Sequence, residues 1–312
     1  MRKLMRKLAG LIIAGPLQAV LVISLCTALS FLAPPITSLL SYVGAAALGL
    51  YSLHNGLRPG LIVLAGAGLA TGILSELLMH QGIAVAVTSM FLWLPVWLAA
   101  VVLRLTRSLA MAMLSLSALG MLGVLLAYVL YGDPAPWWQQ QLQLMADALA
   151  ANPELQLDSA TLTGFVDQVA PLMTGSLAAG LGFAALTCLM LGRWWQSLLL
   201  KPGALRAEFY ALRLNAGLSL AGIALSVLAA ANLGIVSSIA LQWSLIVMVV
   251  FLFVGLAVLH ATLANMKAAK GWIIAAYVLM SLLPQALLMV VVTGLLDPWV
   301  DLRRRTAKTE TH

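Results

Sequence analysis

The sequence predicts an all-α, polytopic transmembrane helical bundle, and three observations predict it. Hydrophobic residues fill 62% of the 312 positions and charged residues only 9%, with a mean hydropathy of +1.03. A soluble domain carries roughly a quarter charged residues, so this composition suits the bilayer as solvent. Apolar runs of the length needed to cross about 30 Å of hydrocarbon, about 20 residues, recur along the chain. The charges are also sorted: no lysine or arginine lies between Arg107 and Arg193, and the polar segment Asp133 to Asp167 within that stretch carries five carboxylates. The other long polar gaps hold lysine or arginine, so the acidic segment is expected on the non-cytoplasmic side.

Nine spans are expected, at 8–32, 36–53, 61–79, 83–103, 109–131, 169–191, 214–231, 235–263 and 272–296. The first follows Arg2, Lys3, Arg6 and Lys7; it is longer than a signal-peptide core of roughly 7–15 residues and reads as a retained span with a cytoplasmic N-terminus. Pro34 and Pro35 separate it from the second, and the segment around Arg58 separates the second from the third. Arg104 and Arg107 close the fourth inside.

The fifth span emerges at Trp137 and Trp138, which suit an interface where a ring keeps its face in lipid and its N–H in water. Trp138, Leu142, Met145 and Leu149 then recur at helical spacing, with Gln139, Gln140, Gln143 and Asp147 between them. This amphipathic helix has no basic face to attract anionic lipid, so it is expected to pack on the bundle. Asn152-Pro153 breaks it, and Asp158 or Ser159 is placed to cap a second short helix through Phe165. Basic residues return in a cytoplasmic connector, 193–213, where Leu205, Phe209 and Leu212 share one face of an interfacial helix. The chain therefore divides into an N-terminal bundle of five spans (1–132), an acidic insert (133–167) and a C-terminal set of spans (168–312).

Nine crossings put Arg303, Arg304, Arg305 and Lys308 outside, against the tendency of basic segments to stay in the cytoplasm. Eight crossings result if the last segment, interrupted by Pro284, is re-entrant.

The polar residues within or beside spans are the candidate site. Glu76 is the one carboxylate inside an expected span, and an ionisable group there is a default functional hypothesis. His80 follows one turn later and Gln81 next to it, so Glu76, His80 and Gln81 are read as a candidate ligand-binding set near the outer interface. His260, Asn265, Gln242, Asn215, Asn232 and Gln285 are isolated, and membrane amides of this kind commonly hold helices together. Gly66, Gly68 and Gly72 allow close helix packing, the last two at small-xxx-small spacing. Cys26 and Cys188 both lie in apolar runs and read as small apolar side chains.

No phosphate-binding P-loop, His-Glu-x-x-His, Gly-x-Ser-x-Gly or Cys-x-x-Cys occurs, so ATPase, zinc protease, serine hydrolase and thiol redox activities have no foothold. The expectation is a non-enzyme without cofactor or metal. The net charge of +7 sits in short clusters at span ends, which excludes nucleic acid as the partner it serves. The lipid bilayer is the expected partner.

Three stretches, Leu53-His-Asn-Gly-Leu-Arg-Pro-Gly60, Gly255-Leu-Ala-Val-Leu-His260 and Gly294-Leu-Leu-Asp-Pro-Trp-Val-Asp-Leu-Arg-Arg304, together with the overall plan, resemble the YybS-like family of bacterial membrane proteins. The first six spans are distantly similar to the substrate-binding S subunits of energy-coupling-factor transporters. That resemblance implies an inner-membrane, multi-pass transport component that binds a small molecule near the outer face and works with separate ATPase or integral-membrane partner subunits. The acidic insert and the three C-terminal spans have no counterpart in S subunits. The other reading is a scaffold or assembly protein holding an integral-membrane partner.

Overall fold

The computed structural model describes residues 2–33, 36–151 and 158–306. Pro34-Pro35, Asn152-Pro153 and Lys308 lie outside them. Among the described residues every regular element is helical: α1 (Arg2–Ile13), α2 (Pro16–Ser30), α3 (Leu39–Asn55), α4 (Leu57–Met79), α5 (Gly82–Thr106), α6 (Leu109–Tyr131), α7 (Ala135–Ala150) and α8 (Ser159–Val169) come first. After a 3₁₀ turn (Ala170–Leu172) come α9 (Met173–Leu200), α10 (Ala204–Tyr210), α11 (Ala216–Ala230), α12 (Ile235–Asn265), α13 (Lys270–Leu282), α14 (Pro284–Val300) and α15 (Leu302–Thr306). Five helical stretches are long and apolar enough to cross a membrane: α4, α5, α6, α8–α9 taken together, and α12; up to seven qualify if α1–α2 and α13–α14 each count as one span. Such helices belong to a membrane-embedded protein.

The segment 8–32 is not the single straight span the sequence predicts. α1 and α2 are bent by 120° at Gly15-Pro16, where proline takes the first turn of the new helix because its missing N–H needs no partner there. α1 exposes Arg2, Lys3, Arg6 and Lys7 and buries Ala9 and Ile12. α13 and α14 are bent by 116° in the same manner at Pro284. α11 is apolar but has only 15 residues.

The helices form two compact units interleaved in sequence, where the division at 132 and 167 follows chain order. Residues 1–116, 181–213 and 257–267 make the first; 117–180, 214–256 and 268–312 make the second.

In the first unit α3 is the hub. Every residue from Gly44 to Leu53 is buried, as expected of a helix that is apolar on all sides. Its small residues admit neighbours closely: a Cβ on Gly44 would stand 2.8 Å from Thr27 Oγ1 of α2, and one on Gly49 would stand 3.2 Å from Val96 of α5. From α9, a Cβ on Gly192 would come within 2.7 Å of the Ala46 carbonyl oxygen. Outward, α4 exposes Leu69, Ile73 and Leu77 at one-turn spacing, the face left to lipid.

The second unit has a core of Val124, Tyr128, Ala179 and Ile246, with Trp243 packed beside it. The Trp243 indole N–H donates to the Met121 carbonyl at 3.1 Å. α14 meets α12 backbone to backbone: a Cβ on Gly255 would collide with Val290, and one on Gly294 with Phe251. Partners descend along α12 as they ascend along α14, so the two helices run antiparallel across this contact.

Candidate functional site

Glu76, His80 and Gln81 do come together, at the turn from α4 to α5. Glu76 Oε2 accepts the Gly82 backbone N–H at 2.8 Å, which caps an otherwise unsatisfied donor at the start of α5. His80 is the left-handed C-cap of α4 (φ 54°) and Gln81 the N-cap of α5. His80 Nδ1 lies 4.0 Å from Glu76 Oε1, with the two side chains 90% and 59% exposed. The geometry is that of an exposed, locally capped turn, with no enclosing cavity among those described below.

Gly66, Gly68 and Gly72 lie where α4 meets its neighbours within the chain. A Cβ on Gly66 would stand 3.2 Å from Val20 of α2, on Gly68 2.5 Å from the Met90 methyl of α5, and on Gly72 3.5 Å from Ala86. Asn215, read from the sequence as a membrane amide, is the N-cap of α11: its Oδ1 accepts the Leu218 N–H at 2.9 Å. Gln242 is buried on α12, donates to the Pro171 carbonyl and accepts the Gly175 N–H. It thereby ties α12 to the start of α9, within the second unit.

The acidic insert is held by hydrogen bonds. Trp138 donates to Thr174 Oγ1 at 2.9 Å and Gln139 to Asp167 Oδ1 at 2.7 Å. Asp158 caps α8, accepting the Thr161 N–H at 2.9 Å and its hydroxyl at 2.8 Å. These two bonds hold the Asp158 carboxyl below its ordinary pKa, because both stabilise the ionised form.

A cavity lined by several charged side chains was not legible in the sequence. In the first unit a cavity of about 530 Å³ is lined by Arg104, Arg107, Arg193, Glu208, Gln196 and the aliphatic Leu53, Leu103 and Leu200. Arg104 reaches across from α5 to the C-terminal end of α3, donating to the Leu53 carbonyl at 2.7 Å and to that of His54. Cationic groups suit that end of a helix, where free carbonyls concentrate negative charge. Gly56 follows directly: its φ is +96°, and a Cβ there would lie 3.3 Å from Arg104 Nε. Arg193 forms a two-pronged ion pair with Glu208, one prong at 2.9 Å, and also donates to Gln196. Arg107 caps α5 in a left-handed conformation (φ 54°), is exposed, and no hydrogen bond or ion pair engages its side chain among the described residues.

Three guanidiniums thus face one carboxylate. Each guanidinium carries five N–H donors in a fixed fork, and Arg104 and Arg193 are already oriented by protein acceptors. Their remaining donors can receive an anion without much further ordering, and the Arg107 fork can close on it at the cost of ordering its side chain. No group of three or more metal-binding side chains occurs among the described residues.

No protein-family model, curated protein or solved structure matches the chain.

Proposed function

We propose that this protein is a non-enzymatic component of a bacterial inner-membrane transport system, and that it binds a small anionic molecule between Arg104, Arg107 and Arg193. The observation that carries the reading is the arginine-lined cavity of about 530 Å³, within the range of about 300–1,000 Å³ usual for small-ligand sites. The resemblance to YybS-like proteins and to S subunits points to the same class. The site differs from that of an S subunit, which takes its ligand near the outer face, because these arginines stand at the basic end of the unit. Energy for movement would come from separate ATPase or integral-membrane partner subunits, since the chain has no nucleotide-binding loop.

The proposed topology has nine crossings, by α2, α3, α4, α5, α6, α9, α11, α12 and α14, with α1 and α13 oblique to the spans they precede. α3 qualifies despite its 17 residues because it is buried among longer spans, and short spans are accommodated by local thinning of the bilayer. The antiparallel contact of α14 with α12 supports a crossing by α14. Arg2, Arg104, Arg107, Arg193 and Arg206 line cavities in the same unit, which supports a cytoplasmic placement of that end by the positive-inside tendency. The acidic insert then faces outward.

The test is a thermal-shift screen of purified protein against vitamins and cofactors, grouped into carboxylate- or phosphate-bearing and neutral members. Stabilisation by an anionic member, weakened in Arg107→Gln, is the expected result. If no small molecule stabilises the protein while affinity purification recovers a stable integral partner, the scaffold reading replaces this one.

A further inference from the structure

A second cavity of about 540 Å³ lies in the same unit, lined among others by Arg2, Trp194, Arg206, Phe209, Tyr210 and His260. Its chemistry is different from that of the arginine cavity. α9 and α10 each divide their side chains between the two: Arg193 and Gln196 face the first, Trp194 and Ser197 the second, while Glu208 faces the first and Arg206 and Phe209 the second. The second contains two guanidiniums and no carboxylate, and the rest of its wall is mainly aromatic and aliphatic, with Met190, Leu198 and Leu205 along it. Arg206 sits 5.1 Å above the Tyr210 ring, and Phe209 meets His260 edge to face at 5.7 Å.

We propose that this cavity binds the headgroup of an anionic phospholipid, with the phosphate between Arg2 and Arg206 and the first acyl carbons along Met190, Leu198 and Leu205. The inference rests on the membrane-embedded character of the chain and is independent of the ligand proposed for the arginine cavity. Two features select a lipid over a soluble phosphate. A soluble anion has no use for the aliphatic and aromatic wall, whereas a phospholipid presents charge and hydrocarbon together. Arg2 is supplied by α1, whose exposed Arg2, Lys3, Arg6 and Lys7 alternate with apolar residues, the pattern of a helix lying at a membrane surface that attracts anionic lipid. Trp194 and Tyr210 add rings of the kind that favour the headgroup level.

The experiment uses the full chain, delipidated in neutral detergent, and native mass spectrometry after adding phosphatidylglycerol or phosphatidylcholine. Preferential retention of phosphatidylglycerol is expected, weakened about tenfold in the double variant Arg2→Gln/Arg206→Gln and unchanged in Arg58→Gln, an exposed arginine that lines neither cavity. Equal retention of both lipids, or no difference between the double variant and wild type, overturns the proposal. Glycerol phosphate and inorganic phosphate serve as competitors on the wild-type protein. If either displaces phosphatidylglycerol at millimolar concentration, the cavity reads a free phosphate and the lipid assignment fails. A photoactivatable phosphatidylglycerol tests the same point without any variant: adducts on the peptides holding Met190, Leu198 and Leu205 are expected, and adducts confined to other segments overturn it.

Discussion

Arg303 donates from Nη2 to Asp297 Oδ2 at 2.9 Å, and the two side chains are only 6% and 1% exposed. They are joined across the end of α14, where Asp301 adopts a left-handed conformation (φ 42°) that turns the chain back. Removing two charges from water is expensive, and their mutual attraction offsets this only while both are present.

Removing one partner is therefore expected to destabilise far more than removing both. Asp297→Asn and Arg303→Gln should each lower stability by about 3–5 kcal/mol, whereas the double replacement Asp297→Leu/Arg303→Met should lie within about 1–2 kcal/mol of wild type or above it. Denaturation of the purified protein in mild detergent measures all three. Near-additive single effects would show that the pair is not coupled.

Helix packing offers a second contrast, between glycines of the same helix. A Cβ on Gly192 would meet backbone of α3, 2.7 Å from the Ala46 carbonyl oxygen and 2.9 Å from the Leu50 nitrogen, while one on Gly180 meets nothing within 4 Å. Backbone does not rotate away as a side chain does, so Gly192→Ala should cost about 1–3 kcal/mol through forced separation of α9 from α3. Gly180→Ala should be neutral or stabilise by about 0.5–1 kcal/mol, the helix-propensity difference alone. Thermal midpoints of the two variants, compared with wild type, decide this.

How much of this was readable beforehand follows from how local each feature is. The cap at Asp158 is a matter of four residues, Asp158 to Thr161, and the sequence carries it as one of two candidates, Asp158 or Ser159. Glu76 and His80 stand one turn apart in sequence and 4.0 Å apart in the structure, yet the partner that gives Glu76 its structural job is Gly82, beyond a left-handed residue that no periodicity reveals. Asp297 lies one residue past the expected end of the last span, so by sequence Glu76 reads as the one carboxylate inside a span, although Asp297 within α14 is far more buried. Arg104, Arg107 and Arg193 read as markers of the cytoplasmic side because charge sorting dominates that signal. Their convergence depends on α3, α5, α9 and α10 packing together, which a single sequence does not encode in any spacing. The interruption at Pro284 is legible in the sequence, though not its angle, whereas the bend at Gly15-Pro16 lies within what reads as one continuous apolar span.

Asp158 gives a pH dependence with a definite sign. Its carboxyl is held below the ordinary value by the Thr161 hydroxyl and backbone N–H, so the folded state prefers the ionised form more than the unfolded state does. The cap's contribution is complete above the unfolded carboxylate pKa of about 3.9 and is lost as pH falls through the lower folded value. Hydrogen exchange at the first turn of α8 should accordingly keep its protection at pH 5 and lose it only in more acid solution. Asp158→Asn, which retains an accepting oxygen, should remove that acid sensitivity, and Asp158→Ala should lose the protection at every pH.

The side on which α14 ends is open to direct measurement. With Cys26 and Cys188 replaced, single cysteines at Met266→Cys and Thr306→Cys report the two ends of the segment containing α13 and α14. An antiparallel α14 that crosses brings position 306 outside and leaves 266 in the cytoplasm, so an impermeant maleimide on intact spheroplasts should label only position 306. One of the basic residues that nine crossings carry outward, Arg303, is neutralised by Asp297, which lessens the electrostatic objection to this placement. Protection of both cysteines until the membrane is permeabilised would instead make the bent pair re-entrant and reduce the crossings to eight. That outcome would also return Arg304 and Arg305 to the compartment holding the arginine cavity.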